Sequence, residues 1–205
     1  MEERKSVYQV TSQIIQKLEE RQKQDSRVNA TLAALRNTVG KTLMEADQVW
    51  PFLFENLPKS FLGTSRGETA EEFAIFTTLQ IYAACKQGSA DNVTRSDDAK
   101  KSIGASLKAG RNIEDSQALD RRFSAMLTSV TMEECVYHMR HLIKIVRAKN
   151  AMTINYGKLA NDLFWLQKGK KKEILFQWAA DYYSRPSGKD GDADPADSDN
   201  KEEER

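Results

Sequence analysis

The stretch Ser102–Arg147, SIGASLKAGRNIEDSQALDRRFSAMLTSVTMEECVYHMRHLIKIVR, decides the fold. Leu119, Phe123, Met126, Leu127 and Val130 recur three or four residues apart, the period of a helix with one buried face. Thr131-x-x-Glu134 has the form of a capping box, in which hydroxyl and carboxylate each take a free backbone N–H. Val130 and Cys135 flank it as a hydrophobic staple would. The helix behind it is predicted to bury Val136, Met139, Ile143 and Val146. Ahead, Ser102 is predicted to cap a short helix carrying Ile103 and Leu107, stopped by Gly110.

Helical steps of ~100° then divide the stretch into two sides. Phe123, Met126, Val130, Val136, Met139 and Ile143 face a core. Tyr137, Arg140, His141, Lys144 and Arg147 fall on the adjoining arc, Arg121 lies opposite the apolar face and Arg122 flanks it. Arg and Lys on neighbouring helices suit phosphate contacts, and an aromatic among them suits a base. The same pattern also fits a solvated face laced with intrahelical ion pairs. The residues alone leave both readings open.

Working outward, the pattern stays helical. Residues 4–23 carry Val7, Val10, Ile14 and Leu18 in a narrow stripe, and 28–43 carry Val28, Leu32, Leu35 and Val39. The segment 46–58, ADQVWPFLFENLP, is the most apolar and reads as a short helix set into the core, ending before Pro58. A loop with Gly63, Arg66 and Gly67 precedes a second capping box, Thr69-x-x-Glu72. A long helix to about Gln87 follows, with Gly88 just past its end. Residues 88–101 are polar and unpatterned and read as an exposed, mobile loop. Tyr156, Leu159, Leu163 and Leu166 form another stripe. Lys168-Gly-Lys170-Lys171-Lys172 is a basic turn, and Ile174, Leu175, Trp178 and Tyr182 form a last amphipathic helix.

The expected fold is all-α, about eight to ten helices in two small packed bundles, 1–101 and 102–185, with a disordered acidic tail over 186–205. Its 205 residues suffice for one sizeable domain or two small bundles. With 10 Gly and 4 Pro, the chain is too poor in turn formers for a many-stranded β fold. The formal charge of +1 hides an asymmetry. Residues 186–205 hold three basic and eight acidic side chains, net −5, whereas 1–185 hold 28 basic and 22 acidic, net +6. A basic body suits a polyanionic partner. Cys85 and Cys135, each beside apolar residues, read as buried thiols of a reducing compartment. No apolar run has the ~20 residues of a membrane helix, and the opening Met-Glu-Glu-Arg-Lys lacks a signal peptide's apolar core. The expected location is cytoplasmic, away from any membrane.

The residues name no catalytic group, metal or cofactor. There is no Walker loop, no Gly-rich dinucleotide turn and no nucleophile elbow. Glu134, His138 and His141 share one helix, but no Cys or further His completes a zinc shell. A His-based metal nuclease is therefore a remote third class beside nucleic-acid binding and a helical protein–protein adaptor. Asp120 and Asp162 stand alone in sequence and are expected to cap helices or pair with Arg. Trp50, Trp165 and Trp178 are expected in the core. Arg66, in a loop ahead of a helix N-terminus, is a candidate anion contact. The lysines at 168, 170, 171 and 172 suit either phosphate contact or a solubilising turn.

The order of short motifs carries a resemblance. Ala34-Leu35-Arg36…Gly40 is followed by Trp50-Pro51-Phe52, the Phe/Leu-rich helix at 73–83 and Ser102-Ile103-Gly104-x-Ser106-Leu107. Then come Leu119-Asp120-Arg121-Arg122-Phe123, His138-Met139-Arg140-His141-Leu142-Ile143, Asn155-Tyr156-x-x-Leu159-Ala160-x-Asp162-Leu163 and Trp178-Ala179-x-Asp181-Tyr182-Tyr183. Over roughly 28–183 this resembles the CasB family, the small subunit of the type I-E CRISPR surveillance complex, Cascade. The resemblance implies an all-α, non-enzymatic protein acting in antiviral defence. It implies a pair of copies in the complex, touching the large subunit and the crRNA-carrying backbone subunits near the crRNA–DNA hybrid. It implies a basic surface that holds the displaced DNA strand and steadies the R-loop. The family's DNA-contacting positions fall on Arg36, Arg66, Arg121, Arg122, Arg140 and, more loosely, Lys168, Lys170, Lys171 and Lys172. Lys144 joins them from the helical wheel. The helix at 4–23 and the tail lie outside the family pattern.

Overall fold

The narrow apolar stripe of residues 4–23 forms a helix that seals the core. In the computed structural model, which describes residues 5–22, 25–63, 67–88, 93–94, 101–112, 116–149 and 152–184, the first helix is α1 (Val7–Arg21). Ser6 caps it, and Gln9 returns the bond to the Ser6 N–H, a capping box. Val7, Val10, Ile14, Ile15 and Leu18 are buried. The helix lies on α8, and Gly157 of that helix allows the approach. A Cβ there would meet Ser12 Oγ at 2.4 Å and the Tyr8 ring at 3.1 Å.

The described residues hold nine α-helices: α1, α2 (Ser26–Asn37), α3 (Trp50–Asn56), α4 (Ala70–Lys86), α5 (Ile103–Leu107), α6 (Ser116–Leu127), α7 (Met132–Lys149), α8 (Tyr156–Gln167) and α9 (Lys171–Tyr183). Short 3-10 turns lie at Leu43–Glu45, Asp47–Val49, Lys59–Phe61 and Lys108–Asn112. The fold is all-α. The extended pairing among these residues is an isolated parallel bridge, Thr94 with Ile154.

Helix α4 is apolar almost all round, as a central helix must be. The capping box expected at its start forms. Thr69 Oγ1 accepts from the Glu72 N–H and Glu72 Oε2 accepts from the Thr69 N–H. Around α4 pack α2, α8 and α1, while α5, α6, α7 and α9 pack with the Lys108–Asn112 turn between them. Helix α8 also touches α9, and the buried side chains of all these helices form one continuous core.

The motifs of the second half interlock through buried and part-buried polar bonds. Ser102 Oγ donates to Asp181 Oδ2 at 2.6 Å, and Gly104 lies so close to α9 that a Cβ would stand 2.0 Å from the Trp178 carbonyl oxygen. Trp178 Nε1 donates to Asp162 Oδ2 at 2.9 Å. The Tyr182 hydroxyl donates to Asp120 Oδ1 at 2.8 Å, and its ring stacks on Phe123.

Four sequence expectations are corrected. Val130 is 85% exposed and is neither core nor staple. Helix α6 ends at Leu127 because the Thr128 and Ser129 hydroxyls donate to carbonyls of its last turn, and the chain then turns outward. Thr131 caps α7 through the Glu134 N–H, but Glu134 Oε2 accepts from the Val130 N–H, one residue earlier than in a capping box. Ser102 makes no side-chain cap, because Asp181 takes its hydroxyl. Asp162 neither caps a helix nor meets an Arg. It is fully buried between Lys158 Nζ and the Trp178 indole.

Within the stretch 88–101, read as exposed, Val93 is buried. Its carbonyl accepts from the Ile154 N–H at 3.1 Å, and Thr94 Oγ1 donates to Glu19 Oε1. The remainder of that stretch that was read as mobile, 89–92 and 95–100, and the acidic tail lie outside the described residues. Among the described residues no helix is long and apolar enough to cross a membrane. Cys85 and Cys135 are free and buried, and burial raises both thiol pKa values, that of Cys135 to about 11.

Candidate nucleic-acid interface

The wheel reading of α6 holds for two arginines. Arg121 and Arg122 are exposed beside buried Phe123, and Arg122 Nη1 donates back to the Ala118 carbonyl at 3.1 Å. A four-residue turn leads into α7, so the two helices form a packed hairpin.

On α7 the arc divides. Lys144 is exposed, as expected. Arg140 is half-buried. Its Nη2 donates to Gln80 Oε1 at 2.6 Å, Gln80 Nε2 donates to the Thr38 carbonyl at 2.5 Å, and burial lowers the Arg140 pKa. Arg147 bridges the Cys85 carbonyl at 2.7 Å and the Met152 carbonyl at 3.3 Å. Two of the three α7 cations expected to face outward therefore also tie α7 to its neighbours. Guanidinium planes suit this double use, since each offers several N–H groups in fixed directions.

Arg140, Lys144 and Arg147 line one side of a cleft of about 420 Å³ between α4 and α7. Gln80, Ile81 and Ala84 of α4 line the other, and Val39, just past α2, closes the rim. Arg36 stands half-exposed in the last turn of α2. Arg66 lies outside the described residues.

The lysine turn has a definite shape. Gly169 takes φ +89°, the Lys170 N–H bonds the Trp165 carbonyl and the Gly169 N–H bonds the Leu166 carbonyl. This is a Schellman end to α8, and it fans the lysines outward. Lys168 Nζ lies 5.5 Å from the Phe164 ring centre and Lys170 Nζ lies 4.0 Å from that of Trp165. Trp165 is thus a half-buried platform, as Trp50 is partly buried, while Trp178 is fully enclosed. Lys171 Nζ donates to the Ser129 carbonyl at 2.7 Å and the Val130 carbonyl at 3.3 Å. That contact brings the lysine turn against the α6–α7 turn. Lys172 is exposed.

Arg111 was missed in the sequence. Its Nε and Nη2 donate to the two Asp120 oxygens at 3.0 and 3.3 Å, under the rings of Tyr182 and Tyr183. Asp120 thus pairs with an Arg, as expected. The signal available was an Arg nine residues before an isolated Asp, too far apart for a helical pair.

The His-based nuclease reading gains little from the geometry. His138 Nε2 is 3.9 Å from Glu134 Oε1, and the exposed His141 ring packs against Tyr137. Among the described residues no three His, Cys, Asp or Glu side chains gather where they could hold a metal.

Two solved structures share this fold. The crystal structure of CasB from Thermobifida fusca superposes with a TM-score of 0.68 at 21% identity, over 87% of this chain and 98% of that one. CasB from M. ruber gives a TM-score of 0.61 at 17% identity, over 88% and 94%. A comparison with curated protein sequences finds no match. Residues 31–183 match the family described as CRISPR-associated protein Cse2. That match spans most of the chain, and the chain belongs to the CRISPR-associated Cse2 family.

Proposed function

We propose that this chain is a non-catalytic subunit of the Cascade surveillance complex that holds the displaced DNA strand and steadies the R-loop. Its family supports the subunit role. The observation that carries the strand-holding role is the set of exposed cations on adjoining elements. Arg121 and Arg122 stand on α6, Lys144 on α7, and Lys168, Lys170 and Lys172 on a turn that Lys171 fastens to the α6–α7 turn. None of these exposed groups is paired with a carboxylate among the described residues. Opening an R-loop is a near-balanced exchange of base pairs, so modest contacts to the displaced strand tip it. Contacts of this kind are independent of sequence and sensitive to salt.

The partners in this reading are the large subunit, the crRNA-bearing backbone subunits and a second copy of the chain. A shallow, largely apolar depression formed by Met44, Trp50, Phe54 and Leu62 supports protein contacts on the α3 side.

The test is the affinity of a labelled single strand of about 20 nucleotides. It is measured across a salt series, for the full chain alone and in the reconstituted complex. Log affinity should fall linearly with log salt, and Arg121→Ala with Lys172→Ala should lower the slope by ~0.7 per lost phosphate contact. A flat salt response, or a double variant that binds like the parent, rejects the strand-holding role.

A further inference from the structure

The α4–α7 cleft differs from an open basic face in two ways. Its cations are unneutralised, and two of them, Arg140 and Arg147, are half-buried. Among the described residues Arg140, Lys144 and Arg147 meet no carboxylate, and the Arg140 Nε–H is buried without a hydrogen-bond partner. A guanidinium withdrawn from water and left uncompensated gains from an incoming oxyanion. Apart from Gln80 and Gln87 its remaining walls are mostly apolar, with Ile81, Ala84, Ile143 and Ala148 among them. A phosphate draws nothing from such walls, whereas a base brings a face that they can shield from water.

The cleft is also short. Arg140 lines a second depression in the same seam, and there Glu68, Glu133 and Glu134 stand with it. Those carboxylates turn an anionic chain away. An amphipathic partner helix needs anchors spaced over two turns, more than the basic part of the seam offers. About 420 Å³ suits one nucleoside with its phosphate at the rim.

We infer that the α4–α7 cleft is a subsite for a single unstacked nucleotide, with its phosphate at Arg140 and Lys144 and its base against Ile81, Ala84 and Ile143. The inference rests on the single-strand binding proposed above and extends it from tracking a backbone to capturing a base. Gln87, exposed at the mouth, offers an amide to the base edge. Every base has such a face and edge groups, so the subsite is tolerant of sequence.

Two strands of about 12 nucleotides test it, oligodeoxythymidylate and the same length of abasic tetrahydrofuran units, equal in phosphates. Fluorescence anisotropy with the full chain should show the base-bearing strand favoured about tenfold. Ala84 and Ala148 are exposed, so Ala84→Leu and Ala148→Leu, singly and together, fill the cleft without entering the core. The double variant should cut the preference to less than about twofold, while its affinity for the abasic strand and its salt slope stay those of the parent. Equal binding of the two strands by the parent overturns the subsite, as does a tenfold preference that survives both leucines. In either case salt-dependent binding of the abasic strand leaves the strand-holding role standing. Loss of salt-dependent binding to both strands removes that role and the subsite together.

Discussion

Trp178 and Asp162 meet in the interior at 2.9 Å, indole N–H to carboxylate, both fully enclosed. Lys158 Nζ bonds the other carboxylate oxygen. Burial holds the Asp162 carboxyl above its ordinary range, although Lys158 and Trp178 both favour its charged form. Asp162→Ala strands the indole N–H and leaves the Lys158 ammonium with only the Gln177 amide oxygen in place of a counter-ion, and should cost about 3 kcal/mol in urea unfolding. Asp162→Asn keeps an acceptor for the indole and should cost less. Equal losses for the two would mean that the shape of residue 162 matters and its bonds do not.

Gly104 and Gly169 predict opposite kinds of damage. Gly104→Ala drives a methyl into the Trp178 carbonyl, backbone against backbone, and should cost about 3 kcal/mol as α5 leaves α9. Gly169→Ala meets open space but must hold φ +89°, and should cost about 1 kcal/mol. Thermal unfolding of the two variants checks the order. The milder variant should also blunt strand binding, since the turn that aims Lys168 and Lys170 is strained.

Glu68 makes stability depend on pH. Burial, then the charge of Glu72, raises its pKa from the ordinary 4.5 to about 7. The folded chain therefore holds a proton between those values that the unfolded chain has released. The Glu68 contribution to stability is therefore greatest below about 4.5, falls as pH rises and is lost above about 7. Glu68→Gln should flatten that part of a pH series of urea midpoints. An unchanged slope in the variant would assign the dependence to other groups.

Arg140 and Lys144 should separate stability from binding. Lys144→Ala removes an exposed cation and should lower single-strand affinity and its salt slope with no change in unfolding midpoint. Arg140→Ala should lower affinity too, and should cost about 2 kcal/mol of stability through the lost bond to Gln80. A variant at Lys144 as destabilised as one at Arg140 would contradict the division.

Helical periodicity was strong enough to place the long elements. The stripes of α1, α4, α6 and α8 and the Thr69–Glu72 box were all readable, because local spacing and capping act within one turn. Val130 shows where periodicity misleads. It continues the register of α6, but the Thr128 and Ser129 hydroxyls have already ended the helix. The cations were legible as charges and not as environments. Arg140 and Lys144 look alike on a wheel, and only the position of Gln80 on α4 makes one an interhelical tie. Arg111 and the Ser102–Asp181 bond depend on contacts between distant segments, which no short-range pattern encodes.

Helix α1 lies on α8, from which it is far removed in sequence. During synthesis α1 leaves the ribosome well before α8, with only α4 to lie on in the meantime. The flank of α4 that α8 covers is bare at that stage. The helices ahead of α8 thus wait, with the α1 stripe only partly covered, until residues 156–167 have emerged. A chain stalled before Tyr156 is then a natural client for chaperones, and this interior closes only once α8 is in place.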